Sequence, residues 1–109
     1  MINAVLKKFI RDYIDFFTKE LPYSETEFNA YYSIITSEWF AIKKDVKQHD
    51  IQNLQQLFQL LDELFEKSEM LYYQLFGSTN SYFVLKNSQN VRSRWSEIQR
   101  IAKAILNEA

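Results

Sequence analysis

Asp62, Glu63, Glu66, Glu69 and Tyr73 crowd one short stretch of this 109-residue chain, and their spacing is the feature closest to chemistry. A helix turns about 100° per residue. Counted from Leu61, the apolar residues Leu54, Phe58, Phe65 and Tyr72 fall within about 60° of one line. On the same count Glu69, Asp62, Glu66 and Glu63 fall at about 80°, 100°, 140° and 200°, and Tyr73 at about 120°. The acids therefore occupy the flank and back of the helix, with Gln55, Gln59 and Met70 nearby. Carboxylates at 62, 66 and 69 rise by about 6 Å and then about 4.5 Å along the axis. That is close to the phosphate spacing of an extended nucleic-acid strand. Such a ridge, with an exposed aromatic beside it, suits a cleft built for an RNA or DNA backbone. The ordinary alternative is a solvated charged face.

Catalytic constellations are missing. His49 is the single histidine and falls at a turn beside Asp50; there is no cysteine. One histidine without thiolates offers too few ligands for a metal, and no Glu-x-x-His pair marks a di-metal bundle. No histidine follows Arg92, Arg94 or Arg100, as the arginine–histidine pairs of small helical ribonucleases would require. No glycine-rich loop cradles phosphate. The expectation is a protein that is not an enzyme, with no cofactor and no metal. Arg92, Arg94, Arg100 and Lys103 give the last helix a basic surface, but Arg94 and Lys103 lie on different sides from Arg92. Direct nucleic-acid binding is therefore not expected. The simpler expectation is that this basic helix complements the acidic third helix inside the fold.

The elements that position these groups are legible from hydrophobic periodicity. Ile2, Leu6, Phe9, Tyr13 and Phe16 make one stripe. Phe28, Tyr32, Ile35, Trp39, Ile42 and Val46 make a second. Ile51, Leu54, Phe58, Leu61, Phe65, Tyr72 and Leu75 make a third, and Val91, Trp95, Ile98, Ala102 and Ile105 a fourth. The first helix is predicted over about 2–20, ended by Leu21-Pro22. Ser24 and Glu27 form a capping box for the second, which runs to about Gln48. Asp50 caps the third, which ends at Phe76 with Gly77 in the C-cap role. Asn87 or Ser88 caps the fourth, which ends near Leu106. The fold predicted is all-α, an antiparallel four-helix bundle forming one domain over 1–109, with one long connection between helices 3 and 4. Tyr82–Leu85 in that connection reads either as a lid on the core or as a contact strip. Phe40 lies off its stripe, exposed or packed on the connection.

Formal charge is uneven. Residues 1–22 carry +1, 23–50 carry −2, 51–77 carry −3 and 78–109 carry +3, which sum to the net −1. Lys7, Lys8, Arg11, Asp12, Asp15 and Lys19 interrupt the first stripe, so neither a secretion signal nor a membrane span is read there. The expected location is the cytoplasm.

Tyr23-Ser24-Glu25-Thr26-Glu27-Phe28, then Tyr31 and Trp39, then Leu61-Asp62-Glu63-Leu64-Phe65 resemble the colicin D-type bacteriocin immunity proteins, which are small four-helix bundles. The likeness covers about the middle half of the chain. It implies an inhibitor that plugs the basic cleft of a nuclease toxin with acidic side chains. The expected partner is a cognate protein toxin bound one-to-one by a monomer, through Asp62, Glu63, Glu66, Glu69 and Tyr73. The alternative from another class is a helical scaffold or homodimerisation module using off-stripe aromatics such as Phe40.

Overall fold

The structure, a computed structural model, describes residues 4–46, 55–77 and 79–108. Every regular element among them is helical. Helix α1 spans Ala4–Tyr13 and continues as a 3-10 turn over Ile14–Thr18; α2 spans Glu25–Val46 and α3 Gln55–Phe76. A short α4 spans Tyr82–Lys86, and α5 runs Gln89–Glu108. The molecule is elongated, with extents of 44 × 21 × 19 Å.

Two predicted elements need correction. The first helix does not run unbroken to residue 20, because its last turn tightens to 3-10 geometry over Ile14–Thr18. The connection between the third and fourth predicted helices is not simply a long loop, so the described residues hold five α-helices rather than four. The Ser81 side chain caps α4 by accepting from the Val84 N–H at 3.3 Å. Within α4, Tyr82 is buried and Leu85 half-buried against the core, while Phe83 and Val84 face solvent. The segment is thus lid on one side and exposed strip on the other. His49, Asp50 and the start of the third predicted helix lie outside the described residues.

Capping follows local chemistry. Ser24 Oγ accepts from the Glu27 N–H at 3.1 Å, the serine half of the expected capping box. At α5 the choice between Asn87 and Ser88 falls to Ser88, whose hydroxyl accepts from the Val91 N–H at 3.3 Å. Asn87 instead donates its amide to the Phe83 carbonyl at 2.8 Å. Gly77 follows α3 without the left-handed backbone expected of a C-cap glycine. Its N–H reaches the Tyr73 carbonyl at 2.8 Å, and a Cβ there would sit 2.5 Å from that oxygen. Close approach, not positive φ, is what selects glycine here.

One continuous cluster of buried residues draws on every helix. Helices α3 and α5 make the closest backbone packing. Each of these helices buries one small residue, Ser68 on α3 and Ala102 on α5. The Ser68 hydroxyl is satisfied by the Leu64 carbonyl at 2.7 Å within its own helix. The chain after the 3-10 turn is held by side chains from far along the sequence. The Trp95 indole N–H donates to the Lys19 carbonyl at 2.8 Å, and the Gln99 amide reaches the Thr18 and Lys19 carbonyls at 3.1 and 2.9 Å. The Tyr82 hydroxyl donates to the Pro22 carbonyl at 2.7 Å.

Helices α2 and α3 meet differently, through rings. Phe28 meets Phe76, Tyr32 stacks on Tyr72, Trp39 stacks on Phe65, and Trp39 also touches Phe58. The partner number falls along α3 as the number rises along α2. Large flat side chains fill the space between these helices in place of close backbone contact.

Leu61 is fully buried, so Leu61→Ala is expected to cost about 3 kcal/mol through lost burial and a residual cavity. Ser68→Ala removes a hydroxyl bonded only within its own helix and improves helix propensity, so it should change stability by less than about 0.5 kcal/mol. Urea denaturation followed by circular dichroism checks both.

Candidate functional site: an aromatic cleft with an acidic rim

The rings that separate α2 from α3 leave an open cleft of about 490 Å³ along the outside of the seam. Helix periodicity explains its walls. On α2, Tyr32, Thr36, Trp39, Phe40 and Lys43 recur at steps of three and four, apart from the adjacent pair Trp39 and Phe40. On α3, Asp62, Phe65, Glu66, Glu69, Tyr72 and Tyr73 do the same, and residues three and four apart share a helix face. The floor is aromatic and the α3 rim is acidic.

Four of the five residues chosen from sequence, Asp62, Glu66, Glu69 and Tyr73, line this cleft together. Glu63 does not line it; the residue is exposed, at a wheel position farther round the back of α3. Phe40, flagged as off-stripe, is 70% exposed and lines the opposite wall, facing the same opening as Tyr73, which is 64% exposed.

The acids are not equivalent. Asp62 accepts a charge-assisted hydrogen bond from Lys43 Nζ at 2.7 Å, and that ammonium lies 5.9 Å from the centre of the Trp39 ring. Among the described residues no hydrogen bond or ion pair engages Glu63, Glu66 or Glu69. The expectation that basic α5 neutralises acidic α3 is also corrected. The charged contact between those helices has the opposite sense, Lys67 of α3 to Glu97 of α5 at 3.3 Å. Arg94 shares that same Glu97 at 3.6 Å and donates to Gln74 at 3.4 Å. The arginines of α5 thus leave the rim acids alone. The reason is angular: Lys67 falls on the α5 side of α3, whereas Glu66 and Glu69 face α2.

Tyr32 sits at the inner wall, half-buried and stacked on Tyr72 with centroids 4.9 Å apart. Burial, reinforced by the Glu69 carboxylate and the Tyr72 and Tyr73 phenols, pushes its hydroxyl up to about 12. The Glu69 carboxylate is thus near enough to act on the Tyr32 hydroxyl inside the cleft.

Among the described residues that line the cleft there is no histidine, cysteine or serine to make a nucleophile–base pair. Among the described residues no three His, Cys, Asp or Glu side chains gather where they would hold a metal ion. No described helix is long and apolar enough to cross a membrane. What the cleft can do is bind: negative charge at the rim, flat apolar surface beneath, and exposed aromatics at the lip. Trp39 and Tyr32 belong to the core stripe read from sequence, and Lys43 is a site residue that the sequence reading did not single out. The signal for Lys43 was its place one turn after Trp39. No protein-family model matches the chain, and no curated protein or solved structure matches it either.

Tyr32 stays protonated in the folded chain above the ordinary tyrosine value of 10.0. Its contribution is fully present below about pH 10 and should be lost as pH rises toward about 12, because the unfolded chain releases the proton first. Absorbance titration of the phenols, with Tyr32→Phe as control, checks this. Glu69→Gln should lower the Tyr32 transition without returning it to 10.0, since burial is the larger cause.

Proposed function

We propose that this chain is a non-enzymatic binding protein of the immunity or antitoxin kind, which docks its α2/α3 cleft face on a basic nuclease-toxin surface and blocks the active site there. The observation that carries the reading is that Glu66 and Glu69 stand beside exposed Phe40 and Tyr73 and that, among the described residues, no lysine or arginine pairs with them. Unpaired rim charge speeds and selects encounter with an oppositely charged partner, and aromatic residues supply the buried anchor area. The likeness of the Tyr23–Phe28 and Leu61–Phe65 stretches to colicin D-type immunity proteins favours the same role. The opposed numbering of the ring partners supports an antiparallel bundle, in which α2 and α3 together form one rigid docking face. The protein acts as a monomer, one-to-one with its toxin, in the cytoplasm where such a toxin finds its nucleic acid. Asp62 contributes mainly by holding Lys43, and Glu63 is at most peripheral.

A second reading rests on Phe40, whose exposure on the same face also suits a homodimer. Sedimentation separates the two: the docking reading expects a monomer at micromolar concentration. A tight dimer that Phe40→Glu dissolves would transfer this face to self-association.

The functional test is survival of cells that express the toxic domain encoded beside this chain. The native chain should protect. Glu66→Lys combined with Glu69→Lys should abolish protection, with an unfolding free energy changed by less than about 1 kcal/mol because both side chains are exposed. Full protection by the double variant, or a neighbouring gene with no toxic activity, counts against the reading.

A further inference from the structure

One end of the α2/α3 cleft already holds a cation, supplied by the chain itself. Lys43 Nζ lies 5.9 Å from the Trp39 ring centre and 2.7 Å from the Asp62 carboxylate. An ammonium over an aromatic ring, paired with an acid, is a complete cation-binding arrangement. The same cleft continues along α3 for about two more turns with the same kinds of residue. Glu66 and Glu69 follow Asp62 at steps of four and three, and Tyr72 and Tyr73 lie beside them. In this stretch no described lysine or arginine occupies the acids. The internal pair shows which ligand chemistry the wall accepts, and the same residue types continue along the open stretch.

We propose that Glu66, Glu69 and the tyrosines beside them form a receptor for arginine side chains of the protein partner, continuing the site that Lys43 fills from within. This inference rests on the docking reading above and narrows the partner to one that presents an arginine-bearing segment. Arginine suits the site better than lysine for two reasons. Its guanidinium is flat and stacks on aromatic surface, and its fork of five donors can serve two carboxylates about one helical turn apart. It is also less strongly hydrated than an ammonium, so it is transferred more readily to a cleft with an aromatic floor. Lys43 acts here as an internal competitor: its positive charge fills the Asp62 end and limits the cleft to the Glu66–Glu69 stretch.

The probe is a blocked five-residue peptide carrying two arginines separated by one alanine, titrated into the full chain and followed by the two indole N–H resonances. Both indoles are buried, but Trp39 lies under the cleft, whereas Trp95 lies away from it and donates to the Lys19 carbonyl. The Trp39 signal should move and the Trp95 signal stay. Glu66→Gln with Glu69→Gln should weaken the peptide about tenfold, and the lysine analogue should bind more weakly than the arginine peptide. Lys43→Gln should tighten binding about threefold, because it frees Asp62 and removes a like charge. Unchanged affinity in the Glu66/Glu69 variant, a lysine peptide that binds as well, or weakened binding in Lys43→Gln would overturn the inference. Toxin protection by the native chain alongside any of those results would leave the docking reading standing and remove only the arginine site. Peptide binding as described without toxin protection would do the reverse.

Discussion

Ring stacking between α2 and α3 is the constraint on which the surface of this molecule depends. Trp39 and Phe65 lie nearly parallel, 6° apart, with centroids at 5.4 Å, and Tyr32 and Tyr72 stack at 4.9 Å. Offset and stacked pairs of this kind contribute about 0.5–1.5 kcal/mol beyond their burial. Their geometric consequence is larger than their energy. Flat side chains of this size keep two helices further apart than serine and alanine do, and the contrast with the α3/α5 seam is direct. There the backbones lie close, and the two helices bury the small residues Ser68 and Ala102. On the other side of α3 the rings prop a cleft open, and the charged flank of the helix becomes its rim.

The chain fixes this frame with polar contacts that span long separations. Trp95 and Gln99 from α5 reach the carbonyls at Thr18 and Lys19, and Tyr82 from α4 reaches Pro22. The link from α1 to α2 leaves carbonyls that no helix satisfies, and these donors satisfy them. An unmet backbone carbonyl costs more than a made bond contributes. The Tyr82 bond is also shielded, and burial with the Glu27 and Glu25 charges pushes that phenol up to about 12. Helices α2 and α3 bury one face each in the core that α1, α4 and α5 share, and turn the aromatic and acidic face outward.

Much of the helix pattern was legible in the sequence because period and capping are local. Ser24 and Ser88 acted through their own neighbouring N–H groups, and the stripes of α2, α3 and α5 predicted buried Ile35, Leu61 and Ile98. The 3-10 tightening over Ile14–Thr18 was not legible, and the donors that meet the chain at its end, Trp95 and Gln99, lie some 80 residues away. Helix α4 was missed for a different reason: five residues are too few to show a period. The acidic flank of α3 was visible on the wheel, and so was its separation from the core stripe. Which acid was already paired was not visible, because Lys43 reaches Asp62 only once α2 lies beside α3. The sense of the α3/α5 ion pair was misread from net charges: −3 and +3 for the two regions say nothing about which side of each helix faces the other. Lys67 and Glu97 are minority charges that happen to face inward.

Two expectations from different classes, an acidic ridge that meets a basic partner and an exposed Phe40 that meets something apolar, converge on a single cleft. A face that combines unpaired acids with exposed rings matches a partner surface that is both basic and partly apolar. The most direct measurement is amide hydrogen exchange of the chain alone and in complex with the proposed partner, a basic nuclease domain. A docking face on the cleft predicts slowed exchange confined to residues 32–43 of α2 and 62–73 of α3, with α4 and α5 unchanged. Slowing that centres instead on the exposed Phe83 and Val84 side of α4, or on the basic surface of α5, would contradict it.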